Sequence, residues 1–173
     1  MKPNTVGRVS GQDPQTGRYT PYAVLDTGLL LGAIMLTLDG EIPVEYLSVG
    51  DKIITRDSGI AKVEHIQRST RDVHTISLAA GSLGHTRPER DALLAADQMC
   101  LIRDWRAQAL FGADRALVAA RALVDGEFIT DLGIQTQTLI QVFCDGPHIL
   151  YADGLELGTA DAMRARGSVL HAA

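Results

Sequence analysis

The feature that most constrains this chain is Leu38-Asp39-Gly40, set between the runs Ile34-Met35-Leu36-Thr37 and Glu41-Ile42-Pro43-Val44. Asp-Gly between such runs is the strongest short-range hairpin signal, because glycine takes a positive φ without steric penalty. Pro43 has no N–H for a ladder, so the second arm belongs at a sheet edge or stops pairing there. Glu45-Tyr46-Leu47 reads as a short turn and Val49-Gly50-Asp51 as another break. Lys52-Ile53-Ile54-Thr55 is the next strand, with β-branched residues in succession. Asp57-Ser58-Gly59 then turns it into Ile60–Ile66, which alternates with period two.

The same signals recur downstream. Val73–Leu78 is an alternating strand, followed by the small-residue turn Ala79–Gly84 and the charged loop His85–Arg90. Arg87-Pro88-Glu89-Arg90-Asp91 reads as solvated loop. Ala92–Ile102 reads as a single strand, and Asp104–Phe111 as a short helix or a hairpin, with Trp105 and Phe111 covering one end of the core or forming a contact patch. Arg115–Val124, RALVAARALV, has helix-forming residues at helical spacing and is expected to be a short helix. Phe128-Ile129, Thr138–Phe143 and His148–Ala152 read as strands, with Asp145-Gly146-Pro147 turning between the last two. Asp153-Gly154 is expected to end the sheet, and Ala160–Arg166 to form a last helix capped by Gly167. Many short strands separated by turn residues predict an all-β domain. The expected division is an extended arm over 1–22, a β domain over 23–160, and a short helix or tail over 161–173, with Ala23-Val24-Leu25 as a further short strand.

The succession from Gly32-Ala33-Ile34-Met35-Leu36-Thr37 through Asp39-Gly40-Glu41-Ile42-Pro43-Val44-Glu45 to Leu47 and Gly50-Asp51 resembles the opening of Hint domains, the Hedgehog/intein self-processing fold. It is most similar to the Hint domains of short standalone bacterial proteins, and the likeness runs over residues 24–157. It implies a compact, pseudo-symmetric fold of many short strands with one or two short helices. It also implies a reaction. A self-processing domain attacks its own backbone carbonyl with a thiol or hydroxyl, protonates the departing amide nitrogen, and stabilises the oxyanion.

Carried over residue by residue, the resemblance puts this chain outside that chemistry. The family's nucleophilic cysteine lies four residues before the glycine opening the first strand, which is Gly28 here. The histidine expected on the strand after the charged loop falls at Met99, and a further one near Gln141, where an insertion around Gly146-Pro147 shifts the register. Splicing ends with cyclisation of an asparagine, and the only one in the chain is Asn4. The surviving candidates are Thr27, whose hydroxyl adjoins Gly28, His148, which matches a family histidine, and Asp145, which with Cys144 forms a polar cluster beside His148. The plainer role for His148 is a backbone hydrogen bond beside its turn. His65, His74, His85 and His171 read as strand, loop and tail residues. Gly28, Met99 and His148 are expected to converge in space.

Composition narrows the classes. The 173 residues, 46% apolar and 21% charged, suit one globular domain with a real core. A net charge of −5 argues against a nucleic-acid binder. Cys100 and Cys144 lack zinc-type spacing; they read as two buried thiols, with one bridge as the alternative. No cofactor and no metal are expected. The apolar run Gly28–Leu36 is too short to span a bilayer, and no secretory signal follows Lys2 and Arg8. The expectation is a chain that is cytoplasmic or exported without a cleavable signal, with no membrane partner and an unidentified protein partner. Two functions are carried forward: a Hint-like domain without self-cleavage that acts as a binding or structural module, and residual autoprocessing at Asp26-Thr27-Gly28 using Thr27 or water.

Overall fold

The computed structural model describes residues 26–162 and the backbone of two short strands, β1 (Gly11–Gln12) and β2 (Tyr19–Thr20), which pair with each other. The expected strand at Ala23-Val24-Leu25, the rest of the arm over 1–22 and the tail beyond Ala162 lie outside the described residues. The domain is all-β, as expected. Its strands are β3 (Leu29–Leu30), β4 (Ile34–Thr37), β5 (Gly40–Pro43), β6 (Lys52–Thr55), β7 (Gly59–Lys62), β8 (His65–Leu78), β9 (Ala92–Ala95), β10 (Met99–Ile102), β11 (Ala116–Ala119), β12 (Ile129–Phe143), β13 (Ile149–Ala152) and β14 (Leu155–Gly158). One sheet has the order β11-β10-β14-β13-β4-β6-β7, with β5 on β4; the other is β3-β12-β8-β9.

The opening hairpin forms as its turn chemistry dictates. Thr37 pairs with Gly40 across Leu38-Asp39, and Gly40 takes φ +113°. Pro43 is the last residue of β5, paired with Ile34 on the sheet's side branch, where its missing N–H costs nothing. Strands β6 and β7 flank the Asp57-Ser58 turn. The alternation over Ile60–Ile66 breaks at Val63-Glu64, where one strand hands over to the next sheet.

Three expectations are corrected. Arg115–Val124 is no α-helix: Ala116–Ala119 pairs with Met99–Ile102 as β11, and Ala120–Leu123 adds one 3-10 turn. Pairing and burial of Val118, Ala120 and Leu123 outweigh a local preference worth a few tenths of a kcal/mol per residue, about 0.7 at most. Asp153-Gly154 does not end the sheet but turns β13 into β14, all four residues of which are buried. Ala92–Ile102 is two strands, separated at Ala96-Asp97-Gln98. The open reading at Asp104–Phe111 resolves to a helix, α1 (Trp105–Phe111), capped by the Asp104 carboxylate on Arg106 N–H and closed by Gly112 at φ +65°. Residues Ala160–Ala162 are helical, as expected of the start of the last helix.

The core lies between the sheets. Met35, Ile53, Ile76, Leu78, Ile129, Ile140, Leu150, Leu155 and Leu157 are fully buried. Buried among them is Glu156, held by Arg56, Arg87 and Arg103 at 2.9 to 3.4 Å, so its charge is paired. Cys100 and Cys144 are free and buried. Among the described residues no helix is long and apolar enough to cross a membrane.

Candidate functional site

Three separate stretches meet where the domain's chain begins. Leu29 and Leu30 pair with Ile140 and Leu139 of β12, which sets Gly28 beside Gln141. The interruption between β9 and β10 delivers Gln98 from the other side, and the end of β14 brings up Gly158-Thr159-Ala160. Thr27, Gly28, Gln98, Gln141, Gly158 and Thr159 line a cavity of about 10 Å³, about the room one water needs.

The Thr27–Gly28 peptide is gripped from both sides. Gly28 N–H donates to Gln98 Oε1 at 3.0 Å, and Gln98 Nε2 donates to Gly158 O at 2.9 Å and Met99 O at 3.2 Å. These three bonds fix which way the buried amide faces. Gln141 Nε2 donates to Thr27 Oγ1 at 3.0 Å and lies 3.4 Å from Thr27 O. Gly28 has φ +125°, and a Cβ there would meet Gln141 Cγ, Ile140 O and Leu139 Cβ, each at 3.3 Å. Just upstream, Asp26 exchanges two bonds with Asp97, N–H to Oδ2 at 2.8 Å and O from N–H at 2.9 Å. Its carboxylate also holds Arg71 Nη1 at 2.7 Å and His74 N–H at 2.8 Å.

Of the residues singled out in the sequence, Thr27, Gly28 and Gln141 come together. Met99 does not supply the side chain facing them. That side chain belongs to Gln98, one residue earlier, and Met99 contributes its backbone carbonyl. Gln98 sits in the turn between β9 and β10, just ahead of the strand that Met99 opens. Asp97, a turn former after a run of small apolar residues, was the available signal. Gly158, Thr159 and Ala160 gave none in the sequence.

His148 is also displaced from the expected convergence. It lines the outer face, where Nδ1 meets Asp57 Oδ2 and Nε2 meets Asp145 Oδ1, both at 2.7 Å, with Ser58 Oγ 3.2 Å from Nδ1. Partial burial opposes its charge, but the bonds to Asp145 and Asp57 outweigh this and raise its pKa. The expected pairing with Asp145 is present, but Cys144 does not join it: its N–H donates instead to Asp161 Oδ2 at 2.7 Å, and Asp57 and Ser58 complete the cluster. His148 touches the cavity only indirectly, through bonds with Thr159: its N–H to Thr159 Oγ1 at 3.1 Å and its O from Thr159 N–H at 2.9 Å. Among the described residues no group of three or more His, Cys, Asp or Glu side chains is placed to hold a metal ion.

A family model described as the Hint domain matches residues 27–161, from the gripped peptide to the last helical residues. The chain belongs to the Hint domain family. This Hint domain is similar in structure to a bacterial intein-like domain from Clostridium thermocellum (TM-score 0.51, 14% identity, 77% of this chain and 97% of that one). It is similar also to a DnaB intein from Synechocystis sp. PCC 6803 (TM-score 0.50, 15% identity, 77% and 99%). A variant of the gp41-1 intein matches at TM-score 0.50 and 12% identity, covering 75% of this chain and 97% of that one. At such identities the likeness is one of fold. No curated protein sequence matches the chain.

Proposed function

We propose that this Hint domain leaves its own backbone intact and serves as a non-catalytic binding or structural module. The observation that carries this reading is the hydrogen bond from Gly28 N–H to Gln98 Oε1. The group facing the amide nitrogen that would depart in a self-processing reaction is an acceptor, and the N–H groups of the same side chain are committed to Gly158 O and Met99 O. It has no proton to give, and Gly28 has no side chain with which to attack. What remains is a donor beside the Thr27 carbonyl, Gln141 Nε2 at 3.4 Å, which alone cannot start the reaction.

The competing reading, residual autoprocessing at Asp26-Thr27-Gly28, has one observation in its favour. Attack by the Thr27 hydroxyl would fall on the Asp26 carbonyl, whose oxygen accepts Asp97 N–H at 2.9 Å, as a developing oxyanion would require. Against it, the hydrogen-bond partner of Thr27 Oγ1 among the described residues is Gln141, an amide and no base. Intact mass spectrometry of purified protein incubated with a thiol or hydroxylamine separates the readings. A single unchanged mass is expected; a time-dependent fragment beginning at Thr27 or Gly28 would overturn the proposal.

A further inference from the structure

Three guanidinium groups meet on one carboxylate, that of Glu156. Leu155 and Leu157, on either side of it in β14, belong to the core, so Glu156 points to the other face of the sheet. Arg103 forks onto it, Nε donating to Oε2 at 3.0 Å and Nη2 to Oε1 at 2.9 Å. Arg56 Nη1 donates to Oε1 at 2.9 Å, and Arg87 Nη1 lies 3.4 Å from Oε2. The carboxylate is 2% exposed, whereas the side chains of Arg56, Arg87 and Arg103 are 27%, 17% and 37% exposed. The acid lies underneath and the three cations cover it.

One carboxylate neutralises one guanidinium, so three cations on Glu156 leave two positive charges in excess. Among the described residues no second carboxylate pairs with any of the three arginines. Asp57, beside Arg56, is taken by His148 and the Ile149 N–H, and Asp104, beside Arg103, is taken by Arg106. Donors are also left over: Nε and Nη2 of Arg56 and of Arg87, and Nη1 of Arg103, take no part in the contacts with Glu156. Like charges gathered this closely repel one another, and an arriving anion relieves that repulsion. Arg87, Arg103 and Glu156 line a cavity of about 10 Å³, walled also by Leu83, Leu101 and Leu155. It has about the room that one oxygen atom, such as a water's, needs. The backbone presenting Arg87 is tied on both sides, Arg87 N–H to Gly84 O at 3.0 Å and Leu83 N–H to Arg87 O at 2.8 Å. A guanidinium held in place this way loses little entropy on binding.

We propose that the cluster of Arg56, Arg87 and Arg103 binds a phosphate group, one oxygen entering the cavity and the others taking the spare guanidinium donors. The excess of two charges selects a dianion, and guanidinium groups match phosphate oxygens in pairs. A carboxylate brings one charge and leaves the second uncompensated. Glu156 opposes an anion, but its two oxygens already face four guanidinium nitrogens. Free phosphate and a phosphate monoester share this chemistry, and the experiment separates them. None of the four residues lines the cavity at Thr27 and Gly28, so the inference stands apart from the reading of that peptide.

Isothermal titration calorimetry of the full chain at about pH 8, where phosphate is chiefly the dianion, and at constant ionic strength provides the test. The probes are inorganic phosphate, phenyl phosphate and acetate. Expected is saturable binding of phosphate with Kd below about 5 mM, and binding of acetate weaker by about tenfold or more. Phenyl phosphate binding at least as tightly as inorganic phosphate assigns a phosphate carried on another molecule; tighter binding of inorganic phosphate assigns the free ion. Arg56→Gln and Arg87→Gln should each weaken binding about tenfold. Each leaves the Arg103 fork on Glu156, and either one keeps the test valid if the other unfolds. Folded Glu156→Gln protein should bind phosphate more tightly, since the cluster then lacks its anion. Lys62→Gln, at an exposed position outside the cluster, should bind as the parent chain does. No saturable heat with either phosphate, equal affinity for acetate, or unchanged affinity in the folded arginine variants would overturn the proposal. So would an equal loss in Lys62→Gln, which would show general attraction to surface cations.

Discussion

The side-chain oxygen of Gln98 accepts the backbone N–H of Gly28 at 3.0 Å, between residues 70 apart in sequence. The nitrogen of the same amide donates to the carbonyl of Gly158, 60 residues further along the chain. One buried side chain thus satisfies groups from the first and last parts of the domain. Gln98→Leu would strand the Gly28 N–H and the Gly158 carbonyl, each at a cost of about 1–3 kcal/mol. Urea unfolding should show a loss of at least about 2 kcal/mol; an unchanged midpoint would mean the amide is dispensable.

Gly28 and Gly40 offer a graded comparison. Both have positive φ, +125° and +113°, but a Cβ at Gly40 meets nothing within 4 Å whereas one at Gly28 has three neighbours at 3.3 Å. Replacing Gly40 with Val should cost about 1–3 kcal/mol from backbone strain. Gly28→Val should cost more, because crowding adds to the strain. Thermal unfolding of the two variants checks the order, and the reverse order would refute the packing around Gly28. The same crowding means that Gly28→Cys with Gln98→His should lower stability even as it restores a thiol and an imidazole.

His148 gives a pH signature. Its pKa is raised by Asp145 and Asp57 above the ordinary 6.5, against the opposing effect of burial. A raised value means the folded state holds the proton more tightly than the unfolded chain. The stabilisation is therefore fully present below about pH 6.5 and is lost as pH rises through the folded-state value. His148→Gln should flatten the slope of stability above pH 6.5 relative to the parent chain, as read by denaturant midpoints at a series of pH values. Identical slopes would show that the imidazole is not paired.

Neither cysteine should react in the native protein. Burial, reinforced by nearby carboxylates such as Glu156 at Cys100 and Asp161 at Cys144, pushes both thiols up to about 12. Thiolate is the reactive form, so titration with an aromatic disulfide at pH 8 should be negligible until denaturant is added, then yield two equivalents. Rapid labelling of the folded chain would contradict the burial of Cys100 or Cys144.

Local turn chemistry made the opening hairpin readable: Asp39-Gly40 and Pro43 each allow few backbone states, and Lys52–Thr55 follows as a strand of matching bounds. What escaped was decided by partners distant in sequence. RALVAARALV has helical spacing, yet Met99–Ile102 claims part of it as a strand neighbour. The polar run Gln67–Asp72 shows no apolar alternation, yet it is strand because it pairs with Thr136–Gln141, whose Leu139 and Ile140 are buried. At the site, Gly28 and Gln141 were legible through the family's wording. The place of Gln98 was not, because it lies in the turn between β9 and β10, inside what reads in the sequence as one continuous strand.

Thr27 and Ala160 line the same small cavity, so the polypeptide enters and leaves the domain at one place. Two flanking segments attached there would emerge side by side, and joining them would need only a short connection with little closure entropy.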